Sequence, residues 1–231
     1  MIFEAIVKDT YSRLLNKLYA SPAILLASCV LGQDFAHSWT YRRVDGGGDS
    51  AYVLTNGAPF EPVLVGTVAS TDFGGVGRTI LVLRLPSHAT HEMAEFFAKQ
   101  ISCLSDIAAA RCELTADLEC EDVIPWNYGD TTDLSRIHLH TYPETSVRRC
   151  TPTRCLDTMS LCASPSSSSC STSSSSTLSS TDDHASSSAP QIEMGDLLAV
   201  QCKLTCRDFP RPDGRVVKVF SLYATKMEII I

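Results

Sequence analysis

The sequence lacks any apolar segment long enough to cross a bilayer. Its longest apolar run covers residues 23–31, whereas a membrane-spanning helix needs about 20 apolar residues. The N-terminal region also lacks the basic leader and unbroken apolar stretch of a secretory signal, because Glu4, Lys8, Asp9 and Arg13 interrupt it. We therefore expect an intracellular protein, nuclear or cytoplasmic, that does not associate with membranes.

Diagnostic catalytic motifs are missing too. Residues 74–79 are rich in glycine but lack the Gly-Lys-Ser/Thr ending that places a lysine on bound phosphates. No Gly-x-Ser-x-Gly nucleophile elbow occurs. Cys29, Asp34 and His37 supply reactive groups, but three such residues within a short stretch are common by chance. The sequence predicts a protein that is not an enzyme and uses no cofactor.

The sequence also gives no recognisable metal site. Without an export signal, the ten cysteines are better interpreted as reduced thiols than as a disulfide framework. The pairs His88 with His91 and His138 with His140 could each share one face, but lack cysteine or carboxylate partners at diagnostic spacing. Four cysteines approach or enter a serine-rich tract, at spacings for which we identify no zinc pattern: Cys150, Cys155, Cys162 and Cys170.

Charge is unevenly distributed along the chain. The formal net charge is −7. Residues 92–133 carry ten acidic and two basic residues, a balance of −8, whereas residues 195–231 carry six basic and four acidic residues, a balance of +2. A basic C-terminal part and a strongly acidic middle favour different partners, so their relative placement matters.

One segment has too little apolar surface to fold. Residues 164–188 contain fifteen serines and a single large aliphatic residue, Leu178, so burial cannot offset the entropy lost on ordering them. We predict a disordered linker over residues 146–190. It is either a plain solvated spacer or a regulatory segment phosphorylated at Thr151 or Ser164, each of which precedes a proline.

Apolar periodicity predicts two helices and two hairpins with strong signals. The helices cover residues 2–19 and 88–104, the second with a buried stripe that begins at Met93 and ends at Leu104. The hairpins cover residues 62–85 and 195–231, and a further hairpin covers residues 37–58. Residues 105–145 are ambiguous, with a short helix and then a strand around residues 137–141.

The first C-terminal strand shows strict alternation. Its predicted buried side begins with Leu198, Val200 and Cys202, and the intervening side chains, including Lys203 and Arg207, would form a solvent-exposed face.

The strands resemble those of a known fold. Residues 195–209 and 213–224 are similar to the closing strands of an OB-fold, most of all to those of bacterial single-stranded-DNA-binding proteins. Residues 63–68 and 79–85 resemble its opening strand pair. The likeness covers about 60 of the 231 residues, and the strand around Ile137 would be the middle strand of the barrel.

The resemblance implies a mainly β fold, α+β overall. We expect an OB-like small barrel with a helical N-terminal segment and a disordered Ser-rich insertion. The corresponding divisions are an N-terminal helix and hairpin packed on the core (1–58), the first part of the barrel with an inserted helix (59–145), the linker (146–190) and the closing strands (191–231).

The resemblance further implies binding of single-stranded nucleic acid, by cations on phosphates and aromatic rings on bases. Trp39 and Tyr41 are additional stacking candidates. An alternative is a protein-interaction or scaffold module regulated through the Ser-rich tract, which would be favoured if residues 92–133 lay across the basic surface. The candidate nucleic-acid-binding residues are Lys203, Arg207, Phe209, Arg211, Arg215, Lys218, Arg78 and Arg84.

Overall fold

The structure is a computed structural model of the 231-residue chain. It describes residues 2–20, 39–43, 49–54, 61–73, 79–113, 120–123, 136–155, 190–210, 212–214 and 216–231. The two helices are α1 (Ile2–Ala20) and α2 (His91–Glu113). The strands are β1 (Trp39–Arg43), β2 (Asp49–Leu54), β3 (Val63–Phe73), β4 (Thr79–Arg84), β5 (Cys120–Val123), β6 (Arg136–Thr141), β7 (Ser146–Cys150), β8 (Leu197–Pro210) and β9 (Val216–Ile230).

Both predicted helices are present, and the second is longer than predicted. α1 buries one stripe that includes Tyr11 and Leu18. α2 begins after Thr90, whose Oγ1 accepts a hydrogen bond from the Met93 N–H at 3.3 Å, as an N-cap does. The helix continues to Glu113, past the predicted end at residue 104, because no proline or glycine interrupts its alanine-rich second half.

Five strands close into a small barrel. β3 pairs with β4, β4 with β6, β6 with β9, β9 with β8, and β8 returns to β3. All these pairs are antiparallel except β6 with β9. The predicted mainly β fold with a small barrel is therefore confirmed. The opening and closing hairpins belong to one barrel, and the strand at Ile137 is its middle strand.

The other strands extend the edges of this barrel. β1 and β2 form the predicted antiparallel hairpin, and β2 pairs with the end of β8. β5 and β7 pair in parallel with opposite ends of β9. β7 and the turn that follows it, residues 151–155, fall inside the range predicted as linker. The ladder with β9 satisfies the backbone of β7, an interaction that composition does not reveal. The serine tract itself lies outside the described residues.

Two layers of side chains form the core. The barrel interior is filled by inward side chains of its five strands, together with Phe97, Ile101 and Leu104 of α2. Outside the barrel, α1 and the first turns of α2 pack on β3 and β8. α2 therefore contributes to both layers and holds the helices on one side of the barrel.

The helical layer corrects the predicted exposed face of β8. Lys203 is exposed, but Ala199, Gln201 and Thr205 on the same side are buried. Ala199 belongs to the layer packed under the helices, and the Gln201 amide donates to Glu61 Oε2 at 2.7 Å. The alternation correctly predicts which side chains point inward but does not reveal what covers the outer side.

Two residues seat α2 on the barrel. Gln100 is fully buried, and its amide accepts from the Val65 N–H at 2.7 Å and donates to the Val65 carbonyl at 2.9 Å. Pairing of β3 with β4 begins only at Thr67. The Gln100 amide therefore satisfies the N–H and carbonyl of Val65, which have no partner on β4. A Cβ on Gly66 would lie 3.1 Å from Phe97 Cε2. The glycine therefore provides room for the helix to approach.

Candidate nucleic-acid interface

One band of side chains crosses four strands on the outside of the barrel. Lys203 is opposite Tyr223 in the β8–β9 ladder, Tyr223 is opposite His140 between β9 and β6, and His140 is opposite Ile80 between β6 and β4. Their chain neighbours on β8, β9 and β6 are buried in the barrel interior. Because side chains alternate along a strand, the band faces outward.

Aromatic rings form the centre of this band. The ring centroids of Tyr223 and His140 lie 5.2 Å apart at an interplanar angle of 31°. Those of Tyr223 and Tyr142 lie 5.9 Å apart at 10°, a stacked arrangement. Thr145 holds the turn that carries Tyr142, because its Oγ1 accepts from the Tyr142 N–H at 3.0 Å and donates to the Ala224 carbonyl at 3.2 Å. The three half-buried rings therefore form a positioned platform.

Exposed cations lie on two sides of the rings. Lys203 is beside Tyr223 at one side. Arg84 and Arg136 are opposite each other on β4 and β6 and are both exposed. Arg136 lies four positions before His140 along β6, a rise of about 13 Å. We call Lys203, Arg84 and Arg136, with the three rings, the aromatic–basic face.

Acidic groups also lie near this surface: exposed Glu144 belongs to the turn that carries Tyr142, and Glu4 of α1 lies near Arg84. Arg84 lines a groove with Glu4 and Met194, so the Glu4 carboxylate reduces the positive potential at that end. The cation beside the rings, Lys203, lies at the other end of the face.

The structure places the predicted binding residues in several positions rather than in one patch. Lys203 and Arg84 lie on the aromatic–basic face. Arg207, Phe209 and Lys218 lie on paired parts of β8 and β9, where the structure describes the backbone register only. The remaining predicted residues lie outside the described part of the chain: Arg78, Arg211 and Arg215.

Acidic residues occupy register positions next to two of the predicted cations. Arg207 is opposite Asp49 of β2. Lys218 is opposite Asp208 on β8 and opposite Asp122 on β5. β5 belongs to the acidic stretch 92–133, so part of that stretch runs alongside the closing hairpin. Asp49 and Asp122 lie outside residues 195–231, so the balance of +2 for the C-terminal segment does not include these two negative charges.

The sequence reasoning missed several members of the aromatic–basic face. Tyr142, Tyr223 and Arg136 were not among the predicted binding residues, and His140 was considered only as a metal ligand. The alternation His138-Leu139-His140 indicated only that the two histidines share one face of a strand. The assembly of the rings depends on the parallel pairing of β6 with β9, which local pattern does not encode.

The chemistry of the neighbouring groups is that of a packed protein core. Cys202 is fully buried, and burial, followed by the nearby charge of Glu61, raises the pKa of its thiol above the ordinary value. It therefore remains protonated rather than nucleophilic.

Among the described residues, the group of metal-ligand side chains that converges closely is Cys150, Cys155 and Glu228. Cys103, Cys150, Cys155 and Cys202 form no disulfide.

Comparisons give no relative for the chain. It matches no known family model, no curated protein and no solved structure. Neither described helix combines the length and apolar character needed to cross a membrane.

Proposed function

We propose that this protein is a non-catalytic binding module that engages single-stranded nucleic acid through the aromatic–basic face. The observation that carries the proposal is the row Lys203–Tyr223–His140, extended by the stacked ring of Tyr142. Aromatic rings provide surfaces on which bases stack, and neighbouring cations contact the phosphates. Both requirements meet on one outward surface.

The architecture supports the same proposal. Counted in chain order, the first of the five barrel strands pairs with the second and the fourth, and the third pairs in parallel with the fifth. This pairing order is compatible with an OB-like barrel, a fold that binds oligonucleotides over its second and third strands and adjoining loops; those strands would be β4 and β6, and β6 carries His140. The helical layer outside the barrel packs mainly on β3 and β8, whereas the ring platform lies on the outer side of β6 and β9.

A titration of the purified chain into a fluorescein-labelled oligothymidine of about 15 nucleotides tests the proposal, since one such barrel covers roughly 4–16 nucleotides. With three cations on phosphates, log K should fall with log salt at a slope of about −2, since each contact on a single strand contributes about −0.7. No salt-dependent rise in anisotropy at micromolar protein would refute the proposal.

Matched variants locate the binding surface. Tyr223→Ala should weaken binding by about 1–3 kcal/mol, or roughly 5- to 150-fold, whereas Tyr223→Phe retains a ring and most of the affinity. Lys203→Ala should reduce the salt slope by about 0.7. Lys99→Ala is the control, because Lys99 lies on α2 beside Glu95 at 3.2 Å. Equal losses from Lys203→Ala and Lys99→Ala would show that binding does not use this face.

A second function has its own supporting observation. The acidic strand β5 runs along β9 with Asp122 opposite Lys218, the arrangement expected of a protein-interaction module with an acidic contact surface. Such a surface would bind a lysine- and arginine-rich peptide. Fluorescence anisotropy with a labelled basic peptide distinguishes the two functions, because Asp122→Asn should weaken peptide binding and leave oligonucleotide binding unchanged or stronger.

A further inference from the structure

A cluster of two thiols and a carboxylate lies at the C-terminal end of β9, apart from the aromatic–basic face. Cys150 ends β7, Cys155 follows it after a turn, and Glu228 lies on β9 opposite Arg148. The ligand atoms of Cys150, Cys155 and Glu228 all lie within 4.8 Å of one another. The three side chains therefore converge from a strand end, a turn and a neighbouring strand.

The backbone holds this cluster firmly. The N–H of Cys155 donates to the Thr151 carbonyl at 2.9 Å, which folds the turn back toward Cys150. Lys17 of α1 donates to the carbonyls of Thr153 and Cys155 at 2.8 and 2.7 Å. The N–H of Ile231 donates to the Cys150 carbonyl at 3.0 Å. The backbone that carries the two sulfurs is thus held by hydrogen bonds of its own, besides the contact of the Cys150 thiol with Glu228.

The two carboxylate oxygens of Glu228 contact different groups, one the Arg148 guanidinium and the other the Cys150 thiol. The Glu228 side chain is fully buried. Oε1 accepts from Arg148 Nε at 2.8 Å and from a terminal nitrogen of the same guanidinium, whereas Oε2 faces Cys150 Sγ at 3.6 Å. A thiol is a weak donor, and a buried carboxylate oxygen is better compensated by a cation.

We propose that Cys150, Cys155 and Glu228 bind a divalent, thiophilic cation of the zinc type. Bonds of about 2.3 Å to sulfur and about 2.1 Å to oxygen give a sulfur–oxygen edge of roughly 3.6 Å in a tetrahedral site, which the Cys150–Glu228 distance matches. The cysteines are separated by four residues, at the upper end of the usual spacing of two to four. These two cysteines were assigned no metal-binding role from the sequence, and the proposal rests on their convergence with Glu228.

Charge supports the same assignment. Binding releases one proton from each thiol, so the ion's two positive charges meet two thiolates and one carboxylate, and Arg148 supplies the remaining positive charge. The buried site is then neutral. Arg148 is the outer partner that orients the ligating carboxylate, as such partners do in known metal sites. Three protein ligands leave the fourth position for water beside the half-buried Cys150.

The site would connect parts of the chain far apart in sequence. The ion would bind β7, its turn and the last strand together, and Lys17 already joins that turn to α1. This role is independent of the aromatic–basic face, so either proposal stands if the other fails.

Cobalt substitution tests the site. The full chain, reduced and stripped of metal by a chelator, is titrated anaerobically with Co²⁺ and then with Zn²⁺. We expect thiolate-to-cobalt charge-transfer absorption and the visible bands of a tetrahedral ion, both displaced by Zn²⁺. Zn²⁺ should also raise the midpoint of thermal unfolding, which the chelator lowers again.

Variants assign the ligands. Cys150→Ser and Cys155→Ser should each remove the charge-transfer absorption and the Zn²⁺-dependent rise in midpoint, and Glu228→Gln should weaken Zn²⁺ binding at least about tenfold. Cys103→Ser is the control, because Cys103 lies on α2 outside the cluster. Circular dichroism confirms folding, and Cys150→Ser, at a half-buried position, remains informative if a variant at a buried position fails to fold.

Three results would overturn the proposal. The first is the absence of cobalt absorption and of any Zn²⁺ effect on unfolding. The second is absorption that persists undiminished in Cys150→Ser and Cys155→Ser, which would assign it to other cysteines. The third is a Cys150–Cys155 disulfide, detected by mass in air, that forms equally fast with and without Zn²⁺.

Discussion

The amide of Gln100 offers a sharp test of how α2 is fixed to the barrel. It makes two hydrogen bonds with the backbone of Val65, at 2.7 and 2.9 Å, in a fully buried position. Gln100→Met keeps most of the side-chain volume but leaves one buried N–H and one buried carbonyl without this partner. Each unsatisfied group costs about 1–3 kcal/mol, so we expect a loss of about 2–6 kcal/mol in the free energy of unfolding.

Gln100→Glu separates the two hydrogen bonds by pH. The introduced carboxyl group can accept from the Val65 N–H in either protonation state but can donate to the Val65 carbonyl only when protonated. Burial and this carbonyl raise its pKa in the folded state above the ordinary value of about 4.3. Its stabilising contribution is therefore present at low pH. It is lost by up to about 1.4 kcal/mol per pH unit as the pH rises from the unfolded toward the folded pKa.

Urea unfolding followed by circular dichroism, in a reducing buffer at about pH 4.5, 6 and 7.5, measures both effects relative to wild type. Gln191→Glu is the matched control, because Gln191 is exposed and its replacement should change stability by less than about 0.5 kcal/mol at each pH. A cost below about 1 kcal/mol for Gln100→Met would refute the reasoning. So would a pH-independent cost for Gln100→Glu.

Two further substitutions test the packing of the helices. Tyr11→Phe should leave stability unchanged or raise it by about 1 kcal/mol, since the Tyr11 hydroxyl is buried with no hydrogen-bond partner among the described residues. Burial, and secondly the nearby Tyr19, raises the pKa of Tyr11. The free energy of unfolding of the wild type should therefore fall with pH above about pH 10 more steeply than that of this variant. Equal pH dependence of the two proteins would contradict this. Gly66→Ala should lower the free energy of unfolding, measured in urea, by about 1–3 kcal/mol, because the added Cβ would lie 3.1 Å from both Leu83 Cβ and Phe97 Cε2. An unchanged free energy would show that α2 shifts to make room for the methyl group. The exposed Ala20→Gly at the end of α1 is the control for a small-residue change.

The local elements could be predicted well because their signals are periodic. The helical face of α1 and the buried stripe of α2 follow from apolar spacing alone, and the structure buries α1 from Val7 to Leu18 along that face and α2 from Met93 to Leu104 along its stripe. The strand alternation of β8 correctly gives its inward side chains. The opening and closing hairpins were recognised from runs of β-forming residues with turn residues between them, and both are present in the barrel.

The candidate site was predicted only in part, because it depends on register between distant segments. Lys203 and Arg84 were identified as cations on strands. The position of Lys218 between two acids, however, follows from β5 and β8 pairing on either side of β9. The rings at His140 and Tyr223 meet only because β6 runs parallel to β9.

The sequence by itself determined the two helices, the hairpins and the inward side of β8, because these depend on residue spacing along a short segment. The tertiary structure decided which outer faces are covered, which charges neighbour one another and which thiols approach Glu228. These outcomes depend on contacts between residues far apart in the chain. The residues next to Ala199 and Cys150 in the chain do not predict these contacts. The helices cover Ala199, and the parallel pairing of β7 with β9 brings Cys150 beside the Glu228 carboxylate.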